Sequence, residues 1–123
     1  MSTKNYLLVC VFLLVTSLGF TQNPIAHSDA MIMAGQARFT VLRPEVIRME
    51  WDAEQQFEDR ASFTIVNRQT DVPDFEVRNK RGWLVIRTDA LELQYKKGSG
   101  QFSATNLKIT LSRNGEPTTW MPD

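Results

Sequence analysis

The chain has 123 residues, with 14 Lys+Arg against 14 Asp+Glu, one Cys, one His and a formal net charge of +0. This balance supplies no basic field for a phosphate backbone or an anionic lipid surface, so nucleic acid is not expected as a partner. One Cys excludes an intrachain disulfide, and one Cys plus one His cannot provide the four ligands of a structural zinc site. We expect one globular domain with no metal and no cofactor.

The first residues have the pattern of an export signal. Lys4 precedes a run at 6–20 that carries no charge, and the small residues Ser17 and Gly19 lie at its end. The run of about 15 residues is shorter than the roughly 20 that a membrane-spanning helix needs, so cleavage is expected and a stable membrane anchor is not. Residues 1–22 are therefore predicted to be a signal peptide, and the product to be secreted or periplasmic.

After a segment at 23–35 that we predict to be flexible, residues 36–123 show apolar side chains at every second position, which is typical of half-buried strands. Seven such runs recur at intervals of roughly 8 to 12 residues, and turn-forming residues at 79–82, 97–100 and 114–115 separate several of them. The sequence therefore predicts an all-β fold, an antiparallel β-sandwich. The apolar positions that define the runs are Phe39 and Val41; Ile47, Met49 and Trp51; Phe63 and Ile65; Phe75 and Val77; Trp83, Leu84, Val85 and Ile86; Leu91, Leu93 and Tyr95; and Leu107, Ile109 and Leu111.

Two features predict that the sandwich is incomplete. The run at 83–86 is apolar at both parities, which predicts a strand buried on both faces. The hairpin signal at 114–115 is followed by a short tail interrupted by Pro117, which predicts no robust partner strand. We therefore expect the chain to stop in the middle of a structure, with protein outside it covering the strand at 83–86.

No catalytic residue can be assigned. Acid–base hydrolysis of a glycosidic bond needs two carboxyl groups that face one site. Glu50 and Asp52 share the strand face opposite the apolar one, which predicts solvated positions, and the adjacent Glu58 and Asp59 would point apart in an extended backbone. His27 falls in the tail after the predicted cleavage site. The acid pairs considered are Glu50 with Asp52, Glu58 with Asp59, and Asp71 with Asp74.

The aromatic residues suggest a sugar contact at one position. Trp51 and Trp83 fall on apolar-patterned faces and are predicted to lie in the core, and Tyr95 is similar, with its hydroxyl near the edge. Trp120 lies beyond the last patterned strand between prolines. It is a candidate sugar contact, and the alternative is a core residue whose strand partner is missing.

Three stretches carry a resemblance to a known family. They are residues 37–51, with the pattern RFTVL-x-P-x-x-IR-x-E; residues 57–68, with F-x-DR-x-S-x-x-x-x-NR; and the run from 82 to 95. In order and spacing they resemble the amino-terminal β-sandwich of glycoside hydrolase family 31, the α-glucosidase and α-xylosidase family, especially its secreted bacterial members. The resemblance covers roughly residues 36–111.

This resemblance implies a galactose-mutarotase-like sandwich that precedes a (β/α)₈ barrel. In the family, the barrel carries an aspartate nucleophile and an aspartate acid/base, and it hydrolyses α-linked sugars with retention. A barrel takes about 250 residues, so we expect a truncated, inactive fragment whose partners are the missing C-terminal catalytic barrel and, through the full-length enzyme, an α-linked glycan or oligosaccharide. Loops at 52–60 and 68–73 would lie nearest the rim of the active site, which makes Asp59 and Arg60 substrate-rim candidates beside Trp120.

Two alternatives belong to other functional classes. In the first alternative, the chain is a free-standing carbohydrate-binding sandwich that uses Trp120 and Tyr95. In the second, it is a structural interaction module that presents an exposed edge strand to a protein partner. The first predicts saturable binding to an α-glucan that is lost in Trp120→Ala. The second predicts a defined protein partner with no effect of sugar.

Overall fold

A computed structural model describes residues 23–123, and the signal peptide predicted for 1–22 lies outside the described residues. The all-β prediction is confirmed: strands β1 to β3 form a three-stranded antiparallel sheet and β4 to β8 form a five-stranded one, each in chain order. No helix within 23–123 is long and apolar enough to cross a membrane. The elements are a 3₁₀ turn η1 (Ser28–Ala30), β1 (Met31–Ala34), β2 (Ala37–Arg43), β3 (Val46–Trp51), β4 (Glu76–Lys80), β5 (Trp83–Arg87), β6 (Leu91–Lys96), β7 (Leu107–Arg113) and β8 (Glu116–Trp120).

Short hairpins connect most neighbouring strands, as the turn residues predict. Arg81-Gly82 joins β4 to β5 with φ values of 50° and 84°, and Asn114-Gly115 joins β7 to β8 with 54° and 82°. Two consecutive residues with positive φ give the turn type that matches the right-handed twist of a hairpin. The sheet also begins before residue 36, because the segment 23–35 contains η1 and β1.

The core lies between the inner faces of the two sheets. Phe39 on β2 and Tyr95 on β6 are fully buried, with ring centroids 5.4 Å apart, and Phe102 packs against both rings at 5.7 and 5.4 Å. These tilted and edge-on arrangements are the favourable ones for aromatic pairs. The other buried members of the core are Ala34, Ala37, Val41, Leu84, Ile86, Leu91, Leu93 and Leu107.

A threonine hydroxyl ties the two sheets together at one end. Thr88, in the β5–β6 turn, donates to the carbonyl oxygen of Pro44 in the β2–β3 turn at 2.5 Å. The same oxygen accepts the backbone N–H groups of Ala90 and Leu91 at 3.2 and 3.1 Å. A hydroxyl has one donor and two acceptor sites, so every hydrogen-bonding site of this buried group has a partner. The group also joins turns from different sheets.

The strand predicted around Phe63 and Ile65 is wrong. These residues lie in the irregular segment 52–75 that connects the two sheets, where Ser62 and Ile65 close a local turn by backbone and hydroxyl hydrogen bonds of 3.1 to 3.2 Å. Phe63 is fully exposed. A segment with alternating apolar residues forms a strand when a neighbouring strand supplies backbone hydrogen bonds. None of the described strands β1 to β8 pairs with residues 62–65.

The tail after Asn114-Gly115 was predicted to lack a robust strand, and this too is wrong. Strand β8 pairs along its full length with residues 109–113 of β7, from Arg113↔Glu116 to Ile109↔Trp120. Pro117 is compatible with the sheet because β8 is an edge strand, where one side of the backbone needs no hydrogen-bond partner. All of its residues are exposed.

Burial on both faces occurs in β2 and not in β5, which corrects the interpretation of the run at 83–86. In β5, Leu84 and Ile86 are buried, whereas Trp83 and Val85 point to the opposite face and remain partly exposed. Residues 37–42 of β2 are all buried, the polar Arg38 and Thr40 included. The segment 52–75 covers the outer face of the three-stranded sheet, where Glu58 and Asp59 contact Arg38.

A matched pair of phenylalanine substitutions tests this arrangement. Phe39→Ala should lower the free energy of unfolding by about 3–5 kcal/mol, because it opens a cavity at the aromatic centre of the core. Phe63→Ala should change it by less than about 0.5 kcal/mol, since that ring is exposed. Urea denaturation followed by circular dichroism measures both. Equal losses in the two variants would contradict the core assignment.

Candidate functional site

Charged side chains meet on the outer face of the three-stranded sheet. Register places Arg38 opposite Glu50 and Thr40 opposite Arg48 across β2 and β3, and directly opposed residues share one face of a sheet. Arg68, from the connecting segment, is 2% exposed and joins them. We call Arg38, Arg48, Arg68, Glu50 and Asp59 the arginine cluster.

The Glu50 carboxylate is the centre of this cluster. Arg38 grips it with two hydrogen bonds, from Nε to Oε2 at 2.8 Å and from Nη2 to Oε1 at 3.1 Å, and Arg48 Nη1 lies 2.5 Å from Oε2. Side-chain exposures are 8% for Arg38 and 13% for Glu50. The prediction that Glu50 is solvated is therefore wrong. Its oxygens are engaged by two guanidinium groups, which makes it a structural anion and not half of a catalytic pair.

The connecting segment is fastened to the cluster by its backbone and by two side chains. The carbonyl oxygen of Glu58 accepts from Arg48 Nη2 at 2.9 Å, Arg68 Nη1 at 3.0 Å and Arg38 Nη2 at 3.4 Å. Asp59 Oδ1 lies 2.8 Å from Arg38 Nη1, and the Phe57 ring covers the Arg38 guanidinium at 4.7 Å. Three guanidinium groups thus converge on one peptide oxygen and hold residues 57–60 in a fixed position.

The electrostatics differ between the arginines of the cluster. Burial alone would lower the pKa of Arg38, but the hydrogen bonds and charges of Glu50 and Asp59 outweigh it and raise that pKa above its usual value. Burial lowers the pKa of Arg48, and the positive charges of Arg68 and Arg38 lower it further, against a partial offset from Glu50. Arg38 is therefore better compensated than Arg48.

The candidates Asp59 and Arg60 lie where the cluster reaches the solvent. The Asp59 side chain is 51% exposed and that of Arg60 is 89% exposed. The Glu58 carboxylate receives Arg60 Nη2 at 2.6 Å, Arg60 Nε at 2.9 Å and the Arg60 backbone N–H at 2.7 Å. These hydrogen bonds from Arg60 lower the pKa of Glu58 to about 2. The outer end of the loop thus presents the carboxylates of Glu58 and Asp59 and the guanidinium of Arg60 to solvent.

Trp120 does not join these residues. It lies on β8 opposite Ile109, is 47% exposed, and borders an apolar depression with Ile47, Leu91 and Leu111 at the open side of the sandwich. Asp59 lies on the outer face of the three-stranded sheet, whereas Ile47 belongs to its inner face. The sheet therefore separates the two candidates, and they belong to two different surfaces.

The other two tryptophans and Tyr95 also lie in different environments. Trp51 packs against the core as predicted. Trp83 is partly exposed on the outer face of the five-stranded sheet and is not a core residue, which is a correction. Tyr95 is 1% exposed and its hydroxyl donates to the Gly100 carbonyl oxygen at 2.9 Å, so it cannot stack on a sugar beside Trp120.

Sequence reasoning missed Arg38, Arg48 and Arg68, the three cations that build the cluster. The available signal was the alternation of charged residues on β2 and β3, on either side of the turn at 44–45. This alternation predicts that one face of the hairpin carries charges of both signs that can pair with one another. Within residues 23–123, no group of three His, Asp or Glu side chains is placed to hold a metal ion. No model of a known protein family matches the chain, and no curated protein is detectably similar to it.

Removal of Arg38 tests whether the cluster holds the fold together. Arg38→Ala should lower the free energy of unfolding by about 3 kcal/mol, because Glu50 would remain buried with less compensation. Arg87→Ala is the matched control: it breaks the pair with Glu92, but the Arg87 side chain is 57% exposed, so the loss should be much smaller than for Arg38→Ala. Urea denaturation compares them, and equal losses would show that the cluster is not a structural centre.

The acid titration of Glu58 gives a second test. Its pKa of about 2 lies below the ordinary 4.5, so its interaction with Arg60 stabilises the fold above pH 4.5, and that contribution is lost as the pH falls through about 2. Carboxyl carbon NMR shifts should show the low midpoint in the native chain and a return towards 4.5 in Arg60→Gln. Arg78→Gln, on the other sheet, should leave the midpoint unchanged. A midpoint that ignores Arg60→Gln would refute the assigned cause.

Proposed function

We propose that this chain is the non-catalytic N-terminal domain of an exported, α-glucosidase-like hydrolase of glycoside hydrolase family 31. In this role the sandwich is a scaffold that positions a loop near the substrate of a catalytic domain, and the full-length enzyme hydrolyses α-linked glycans or oligosaccharides. The sandwich supplies no nucleophile or general acid of its own. Its contribution would be to hold residues 57–60 at the rim of an active site.

One observation carries this proposal: the two patterns behind the resemblance meet in space. The first pattern contributes Arg38, Arg48 and Glu50 from β2 and β3, and the second contributes Asp59 and Arg68 from the connecting segment. Residues 51–56 separate the two patterns in sequence, yet these side chains form one hydrogen-bonded cluster. A shared role in fixing a loop explains why such residues would recur together at these spacings, and this supports reading the two patterns as parts of one family signature.

The exposed end of the loop suits a place at the rim of a sugar site. Asp59 can accept hydrogen bonds from hydroxyl groups, and Arg60 can donate them. Both sit on a backbone that the buried arginines immobilise, so little conformational entropy would be lost when a substrate contacts them. Preorganised polar groups of this kind favour recognition of a hydroxyl-rich ligand over a purely apolar one.

The native product from the source cells tests the proposal. We expect an antibody against residues 36–111 to capture a polypeptide with an intact mass far above the 14.1 kDa of this chain, because the catalytic domain would be continuous with it. The captured material should hydrolyse an aryl α-glucoside above a buffer blank. The 123-residue chain, expressed alone, is the matched control and should show no hydrolysis.

Two results would contradict the proposal. The first is a captured product with a mass at or below 14.1 kDa and no α-glycosidase activity, which would identify a sandwich that acts alone. The second is hydrolysis by the purified 123-residue chain that survives removal of trace contaminants. That result would show that the chain is itself catalytic.

A further inference from the structure

The outer face of the five-stranded sheet carries an aromatic and basic surface that the proposed scaffold role does not use. Trp83 on β5 lies directly between Lys80 on β4 and Lys96 on β6 in the register of the sheet. The next position along the same face brings together Val85, Arg78 and Gln94 in the same way. Opposed residues in antiparallel strands share a face, so Trp83 has a lysine beside it on each neighbouring strand.

Two adjoining depressions make this surface a shallow groove. One, of about 240 Å³, is bordered by Trp83, Arg81 and Lys80. The other, of about 210 Å³, continues across the strands towards Arg87 and Glu92. The two share Lys80, Val85 and Gln94 as lining residues. The groove therefore runs continuously over three strands, which is long enough in principle for more than one sugar ring.

The groove has an excess of positive charge. Its two acids are each paired, Glu76 with Arg78 at 2.7 Å and Glu92 with Arg87. Among the ion pairs of the described part of the chain, none includes Lys80 or Lys96. Lys108, opposite Gln94 on β7, is also exposed on this face and unpaired there. Cations on the strands around a partly exposed aromatic ring are complementary to a ligand that carries both an apolar ring face and anionic groups.

The chemistry of the face favours a saccharide over a protein as this ligand. The outward side chains of β4 to β6 include two apolar residues, Trp83 and Val85, in a surround of Lys, Arg, Glu and Gln. Protein interfaces have a desolvated core from which Lys and Glu are depleted, and this face lacks one. Gln94 donates to Glu92 at 2.6 Å, which leaves its carbonyl oxygen to accept from a hydroxyl group.

We propose that this groove binds an acidic polysaccharide, one with carboxylate or sulfate groups on its sugar rings. A ring packs its C–H face on Trp83, its anionic group pairs with the lysine on one side of that residue, Lys80 or Lys96, and Gln94 accepts from a hydroxyl. This site is independent of the family assignment and lies on the opposite side of the molecule from the arginine cluster. It would attach the protein to acidic glycan whatever its catalytic partner does.

Affinity electrophoresis of the full chain tests the site, with polygalacturonate as the acidic polysaccharide. Dextran serves as a neutral polysaccharide, and polyglutamate as a polyanion without sugar rings. We expect saturable binding to polygalacturonate that weakens with added salt, little binding to dextran, and clearly weaker binding to polyglutamate. Salt sensitivity follows from screening of exposed charges.

Matched variants separate the ring from the charge. Trp83→Ala should weaken binding to polygalacturonate about tenfold, whereas Trp120→Ala, another exposed tryptophan, should leave it unchanged. The double variant Lys80→Gln/Lys96→Gln should weaken it about fivefold, and Arg43→Gln, a charge removed from the other sheet, should not. Circular dichroism confirms that each variant is folded.

Three results would overturn the proposal. The first is no binding to polygalacturonate at low salt. The second is equal binding to polyglutamate together with no effect of Trp83→Ala, which would identify a general polyanion surface or a site for an acidic protein. The third is an equal loss in Trp83→Ala and Trp120→Ala, which would place the contact elsewhere. Polygalacturonate binding that depends on Trp83 and on the two lysines supports the site.

Discussion

Burial of the Arg38 guanidinium is the constraint on which the three-stranded sheet depends. A cation removed from water costs several kcal/mol unless partners compensate it, and β2 places this one on a face with almost no solvent contact. Compensation comes from Glu50 on the next strand and from Asp59, Phe57 and the Glu58 carbonyl oxygen of the connecting segment. The irregular segment is therefore a second layer that covers the outer face of the sheet. It buries the Arg38 guanidinium and also supplies part of the compensation that this burial requires.

The two sheets consequently have different surfaces. The three-stranded sheet packs against the core on one side and against the segment that follows β3 on the other, so Arg38, Arg48 and Glu50 are fixed in place. The five-stranded sheet is covered on its inner side, and its outer side carries exposed charge around Trp83. The first arrangement suits a role in positioning a loop, and the second leaves a broad polar surface available for a ligand.

The sequence predicts those parts of the fold in which apolar and polar residues alternate along a strand. Parity identified six of the eight strands, because a half-buried strand shows its apolar residues at every second position. It failed at Phe63 and Ile65, where the same parity occurs without a neighbouring strand, and at β8, whose exposed residues leave no apolar pattern. Trp83 was misplaced because its apolar neighbours on β5 suggested a core position, although the strand presents it to the other side.

The pairing of charges within the arginine cluster could not be predicted, for a geometric reason. A regular two-residue turn at 44–45 would place Arg38 opposite Trp51. The register instead shifts between Val41 and Arg43, and this irregularity brings Arg38 opposite Glu50. A shift of one residue changes which side chains meet across the strands, and nothing in the local pattern announces it. The partners of Glu50 therefore depend on a register that the sequence does not predict, whereas the loop position of Asp59 and Arg60 follows from the sequence.

Pro117 gives β8 a property that matters when many copies of the chain are present. It lies opposite Ser112, whose N–H turns the other way to donate to Ala90 at 3.1 Å, so the nitrogen of residue 117 faces the open margin of the sheet. A proline there offers no donor to an incoming strand. A second molecule that paired with this edge would lose a hydrogen bond at the second residue of β8, which makes the edge a poor template for fibre-like growth.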